Sequence, residues 1–392
     1  MPSSDIANQS AMPERWDLFC RVVDNFGDAG VCWRLAWQLA HDQGGRVRIW
    51  IDDLRSLSAL HPAVENVERQ IVEDIEVRRW DGGVADAAPA DFVIDAFGCG
   101  LPDEYVENMA AKARRPIWIV LEYLSAEPWV PHHHGLPSPH PRLPLQRYFF
   151  FPGFVAGTGG LLREHDLFVR REAFGREHRD AFWQSLGYAP PPAEAVTVSV
   201  FSYESAPLAE LLRCWELGPN KVVAAIAGSN VSANVLDHFG VPRIPQTREL
   251  RRGALEARFV PFVAQARYDE LLWSCDWNFV RGEDSFVRAQ WAARPFVWQA
   301  YPQQDRAHWQ KLDSFLDLYC GSLSPCARAA VYAITRRWNE GGAPASSVAS
   351  AWAALVAQRE ELQRHGRIWA ERIAAVGPLT ANLASFCRDK LK

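Results

Sequence analysis

At 392 residues and 44.2 kDa the chain exceeds what one hydrophobic core usually serves, so two domains are expected. Its 48% hydrophobic and 23% charged residues fit a soluble globular protein, and a net charge of −5 gives no electrostatic case for binding nucleic acid. No apolar run approaches the ~20 residues of a membrane helix, residues 1–13 lack the apolar centre of a secretory signal, and the eight cysteines form no C-x-x-C pair, which together suggest a reduced, cytoplasmic protein.

The first apolar run, Trp16 to Val23, leads into Asp24-Asn25-Phe26-Gly27-Asp28-Ala29-Gly30 and then a helical pattern from Val31 to Ala40. A strand running through a turn into a helix opens a doubly wound α/β domain, whose ligands gather at the carboxyl edge of the sheet. Further strands are expected at Arg46 to Ile51, Asp91 to Phe97, Pro116 to Leu124 and from Tyr148, with helices at Leu54 to Leu60 and Asp103 to Arg114. Glu127 to Pro144, with six prolines and four histidines, reads as a loop. Arg170 to Leu186 reads as a helical connection that ends near the linker-like Pro190-Pro191-Pro192.

A second alternation follows. Strands are expected at Ala195 to Tyr203, Lys221 to Ala227, Arg258 to Val263, Asp276 to Val280 and Pro295 to Trp298. Helices are expected at Pro207 to Glu216, Gln265 to Ser274 and from Asp284 to about Ala293, and the chain from Gln304 onward reads as almost wholly helical. Two α/β halves closed by helices predict the two-lobed GT-B architecture. The expected division is a tail over 1–14, an N-terminal acceptor lobe over 15–189, a C-terminal nucleotide-sugar lobe over 190–367, and a last helix, about 368–392, returning to the first lobe. A single-Rossmann dehydrogenase is the competing architecture, but no G-x-G-x-x-G follows the first strand.

Asp24 and Asp28, four residues apart across a turn, suit a carboxylate pair that binds a cation or acts as general base; Asp28 alone also suits a helix cap. Arg281-Gly282-Glu283-Asp284-Ser285 lies at a strand-to-helix junction, where free N–H groups, a glycine and an arginine suit a diphosphate, and where a capping turn is the plainer reading. Glu283 is placed to meet a ribose or the sugar. Phe201, Tyr203 and Phe262, with Gln265 beyond, stand at strand ends, where aromatic rings either hold a base or pack the core. Tyr301 and Gln303-Gln304 follow the next strand into the same cleft. His132-His133-His134 and His140 lack a carboxylate or cysteine partner set and read as surface loop rather than metal site.

Two of these stretches, D-L-F-C-R-V-V-D-N-F-G-D-A-G-V-C-W-R-L-A and F-V-R-G-E-D-S-F-V-R-A-Q-W-A with its sequel P-F-V-W-Q-x-Y-P-Q-Q-D, resemble the signatures of the EarP family, the rhamnosyltransferases of translation elongation factor P. The resemblance runs from about Trp16 to the C-terminus. It implies an inverting GT-B enzyme that moves L-rhamnose from dTDP-β-L-rhamnose to an arginine of elongation factor P, without metal or other cofactor. It further implies Asp28 as general base, Asp24 as partner of the acceptor guanidinium, Glu283 as a third catalytic residue, and a nucleotide-sugar site built from Glu283, Asp284, Ser285, Arg281, Tyr203, Gln265 and Tyr301, with Phe201 and Phe262 as apolar contacts. Another GT-B transferase with a different acceptor, or a non-catalytic sugar-nucleotide or translation-factor binding protein, are the alternatives.

Overall fold

Each half of the chain begins with an apolar strand that becomes the centre of its own sheet. The computed structural model describes residues 14–391 apart from 25, 82, 85–86, 243–247, 304–305 and 341–346; residues 1–13 of the expected tail over 1–14, and Gln304, therefore lie outside the described residues. The first sheet holds β1 (Arg15–Cys20), β2 (Arg46–Ile51), β3 (Arg69–Val72), β4 (Ile75–Arg79), β5 (Phe92–Ala96), β6 (Ile117–Leu121), β7 (Pro137–Pro139) and β8 (Gln146–Phe150). Its order is β3-β4-β2-β1-β5-β6-β8-β7, parallel except where β3 and β7 join as antiparallel edges. The second holds β9 (Val196–Val200), β10 (Val222–Ala227), β11 (Glu249–Arg252), β12 (Leu255–Val260), β13 (Trp277–Arg281) and β14 (Phe296–Gln299), ordered β11-β12-β10-β9-β13-β14.

In each sheet the strand order reverses beside the first strand, between β1 and β5 and between β9 and β13. Crevices open at such reversals, outside the strands' carboxyl ends. Near-continuous apolar runs make this arrangement possible: Leu18, Phe19 and Cys20 in β1 and Val198 and Val200 in β9 are fully buried, as strands covered on both faces must be. The one charged residue inside β1, Asp17, is buried but bonded by Arg48 of β2 at 2.6 and 2.7 Å and by Tyr105, which satisfies it.

The helix Phe26–His41 starts earlier than the apolar pattern predicts, so Gly27 and Asp28 belong to its first turn rather than to a loop. The Arg170 to Leu186 connection is two helices, Leu167–Ala173 and Arg176–Ser185, broken at Phe174-Gly175. Within the proline-rich stretch, Val130–His133 forms one helical turn, and the imidazoles of His134 and His140 accept backbone N–H groups. Near the C-terminus, Arg359–Ala374 buries Leu362, Trp369 and Ile373 in the second lobe's core. The chain then crosses at Pro378, and Leu379–Leu391 places Leu379, Leu383 and Cys387 in the core of the first. This is the GT-B arrangement of two α/β lobes and a returning helix. Among the described residues no helix is long and apolar enough to cross a membrane.

Candidate active site

The two sheet reversals face one another, and several hydrogen bonds join them. Tyr203, just past β9, donates its hydroxyl to Asp24 Oδ2, just past β1, at 2.7 Å. Tyr203 is itself fixed by Gln299, whose Oε1 accepts the Tyr203 N–H at 2.8 Å. Two glycines leave room for the Asp24 carboxylate: a Cβ on Gly27 would lie 2.7 Å, and one on Gly282 2.8 Å, from Asp24 Oδ2. Gly282 also has φ +62°, a conformation that favours glycine.

Two adjoining cavities meet at Asp24, Gly27 and Gly282. One, of about 720 Å³, is lined by Phe201, Phe262, Gln265, Arg281, Asp284 and Ser285. The other, of about 790 Å³, is lined by Asp28, Tyr123, Glu283, Tyr301, His308 and Lys311. Every described residue expected at the site therefore reaches one of these cavities, except Tyr203, which holds the carboxylate they share.

In the first cavity, the Arg281 guanidinium lies 4.5 Å from the Phe201 ring centroid and 4.4 Å from that of Tyr203, with no carboxylate in ion-pairing range among the described residues. Stacking of this kind holds an arginine in place while leaving its N–H groups available. The helix Asp284–Trp291 opens beside it without any side-chain cap, and the Ser285 hydroxyl bonds the Arg281 backbone. Asp284 itself is engaged elsewhere: Arg34 Nε reaches its Oδ1 at 2.8 Å and Gln265 Nε2 its Oδ2 at 3.0 Å. Gln265 also bonds the Gly30 carbonyl at 2.9 Å, so its amide ties the lobes together. Phe262 is 49% exposed and meets Phe26 of the other lobe at 5.0 Å between centroids.

In the second cavity three carboxyl groups converge. Asp28 is buried, and its Oδ2 accepts the N–H groups of Val23 at 2.8 Å and Asp24 at 2.9 Å. It therefore caps its helix and lines the cleft at once. Burial pushes its carboxyl above the usual range, against the pull of those N–H groups and the Tyr123 hydroxyl. Burial likewise pushes Asp24 up to about 6, opposed by Tyr203 and Arg281. Glu283, which accepts the Leu124 N–H at 3.0 Å, is pushed by burial up to about 8, opposed by that N–H and Lys311. A carboxyl of this kind is mostly protonated at neutral pH and can donate a hydrogen bond.

Residues 16–388 match the family described as Elongation-Factor P (EF-P) rhamnosyltransferase EarP. The chain belongs to the EarP family. The protein-arginine rhamnosyltransferase of Pseudomonas putida is 44% identical over 97% of this chain and 100% of its own length. That of Pseudomonas aeruginosa is 40% identical over 96% of this chain and 99% of its own. A solved structure described as the structural basis for EarP-mediated arginine glycosylation of translation elongation factor EF-P shares 33% identity, with a TM-score of 0.66, covering 96% of this chain and 99% of that one.

Around the two EarP signatures the structure adds residues that spacing does not point to. Tyr123 stacks on Phe97 at 4.3 Å, with Lys311 Nζ 5.4 Å from its ring. Phe97 has φ +59°, an uncommon conformation for an aromatic residue and one often found near functional sites. The Gly282 carbonyl accepts Trp298 Nε1 at 2.8 Å, which steadies the junction. Arg34, Glu164, Asp269 and Arg288 form a buried ion network with Asp284. An arginine inside the first signature and one inside the second were the available hints; their carboxylate partners lie too far away in sequence to be paired by inspection.

Proposed function

We infer that this protein transfers L-rhamnose from dTDP-β-L-rhamnose to an arginine side chain of elongation factor P, with inversion and without a metal ion. The observation that carries the reading is the convergence of Asp24, Asp28 and Glu283 on one cavity that adjoins a stacked arginine and an uncapped helix N-terminus, in a chain of the EarP family.

In this reading the donor occupies the first cavity. Phe201 and Phe262 hold the base or its sugar by their faces, while Arg281 and the N–H groups at Asp284 and Ser285 take the diphosphate. The rhamnose then reaches Glu283, and Tyr301 closes the same side. The acceptor guanidinium enters the second cavity between Asp24 and Asp28. An arginine is protonated at neutral pH and is a poor nucleophile until a carboxylate removes a proton. Asp28, raised by burial and therefore more basic, takes that proton as the nitrogen attacks the anomeric carbon. The bond from that carbon to the diphosphate oxygen breaks, and the nucleoside diphosphate leaves with the electron pair, its charge met by Arg281 and the helix dipole. One displacement inverts the centre, so no protein nucleophile is needed. A translation factor as acceptor places the reaction in the cytoplasm.

Incubation of elongation factor P with this protein and dTDP-β-L-rhamnose, read by intact mass, tests the reading. One deoxyhexose mapped to an arginine is expected. An unmodified factor, under conditions where the donor binds, overturns it.

A further inference from the structure

Asp284 presents an anomaly. Its carboxylate lines the cavity assigned above to an anionic donor, at the N-terminus of the helix whose free N–H groups suit the diphosphate. Left to itself, an aspartate in the first turn folds back onto those N–H groups or repels the ligand that needs them. Here it does neither, because both of its oxygens are taken: Oδ1 by Arg34 Nε of the opposite lobe at 2.8 Å and Oδ2 by Gln265 Nε2 of its own lobe at 3.0 Å.

We propose that Arg34 is a positioning residue for donor binding: it neutralises Asp284 and draws it off the helix N-terminus, leaving that terminus free for the donor diphosphate. Arg34 is buried and fully engaged. Beyond Asp284 it bonds Glu164 at 3.0 Å and the Gln265 carbonyl at 3.3 Å, so its guanidinium cannot swing into the cavity and replace Arg281 as a ligand. Glu164 in turn is held by Arg288 at 2.7 Å, and Arg288 is shared with Asp269. Among the described residues Arg34 is the ion-pair partner of Asp284, so removing it leaves that carboxylate without a paired cation beside an anion site. Gly30 permits the arrangement. A Cβ there would lie 3.0 Å from Gln265 Nε2 and 3.2 Å from Asp284 Oδ2, so the helix carrying Asp28 and Arg34 can approach the junction closely. The same helix therefore bears the base at its start and the donor-site neutraliser near its middle.

This inference rests on the donor reading above, and its test separates the two. Thymidine diphosphate is titrated into the full-length protein and its variants by calorimetry. Arg34→Gln is expected to weaken binding tenfold or more. Asp284→Asn is expected to bind at least as tightly as the parent. The double variant Arg34→Gln/Asp284→Asn is expected to recover most of the loss, which a merely structural ion pair would not do. If Arg34→Gln does not unfold cooperatively, Arg34→Lys, expected to stay within about threefold of the parent, and Asp284→Asn decide the matter. The proposal is overturned if Arg34→Gln binds like the parent, if Asp284→Asn binds more weakly, or if the double variant shows no recovery. Failure of the parent itself to bind thymidine diphosphate refutes the donor assignment instead. The same series with pyrophosphate, which needs only the diphosphate subsite, then tests the role of Arg34.

Discussion

Asp28→Asn separates two roles of this side chain, the helix cap seen in the structure and the base proposed above. Asp28 Oδ2 accepts two backbone N–H groups, from Val23 and Asp24. An asparagine has nearly the same shape and can turn its carbonyl oxygen toward both, so the start of the helix survives. It also removes a carboxylate whose ionisation burial already disfavours. The fold should therefore be as stable as the parent within about 0.5 kcal/mol, or slightly more stable. Asp28→Ala, in contrast, leaves both N–H groups without this acceptor and should cost about 1–3 kcal/mol. Transfer should behave differently. Both variants lack the base, and loss of a positioned general base costs ~10²–10⁴ in rate. Thermal unfolding measures the first comparison, and single-turnover mass analysis with saturating donor the second. Turnover by Asp28→Asn within threefold of the parent would refute the argument, as would equal destabilisation by asparagine and alanine.

Gly282→Ala should fold but lose ~10²-fold in transfer, because its Cβ would stand 2.8 Å from Asp24 Oδ2 and a displacement of about 1 Å at a reacting group has that scale of effect; thermal melts and rate measurements report both. Tyr203→Phe removes the 2.7 Å bond to Asp24, and should lower the rate while raising the apparent pKa of the acidic limb in its pH profile, since that bond favours the ionised carboxylate. The folded-state values of Asp24 and Glu283, about 6 and about 8, lie above their unfolded ones, so the stabilisation belongs to the protonated forms. It is fully present below about pH 4 and is lost as pH rises through 6 and then 8. Melting temperature of the ligand-free protein should fall across that window, and Glu283→Gln should abolish the upper part of the fall, on the order of 2 kcal/mol after allowance for the carboxyl's opening to the cleft.

The buried strands were readable because doubly covered strands are nearly all apolar; β2, with its helix Leu54–Leu60, falls where the pattern places it. The β3–β4 hairpin was not readable. Its turn residues, Glu73 and Asp74, take φ +48° and +62°, a left-handed pair usually signalled by Asn-Gly, and its strands carry Arg69, Glu76, Arg78 and Arg79. Arg78 is accommodated by stacking against Trp50 at 5.0 Å, a tertiary contact with no local signature. The helix Ser229–Phe239 was missed for a related reason. It opens at Gly228, with φ +94°, and has no side-chain cap to announce it. At the site, Asp24, Asp28 and the Arg281–Ser285 junction were visible because each follows a strand directly. What spacing could not convey is orientation: Asp284 points toward Arg34, 250 residues away in sequence, and the peptide N–H of Leu124 supports Glu283 from 159 residues away.

The electrostatics of the two cavities favour the substrate placement proposed above. The second cavity gathers three carboxyl groups, all raised by burial, so it is short of positive charge and gains most from a cation. A guanidinium entering between Asp24 and Asp28 supplies that charge and lowers both pKa values as it binds. Its arrival therefore favours the ionised form of Asp28, the base proposed above. The first cavity has the opposite need. Arg281 there is stacked and, among the described residues, has no ion-pair partner, and the helix N-terminus lacks a side-chain cap, so an anion gains most. Asp24, shared by both cavities and bonded by Tyr203 from the donor lobe, stands where the charge of one substrate meets that of the other.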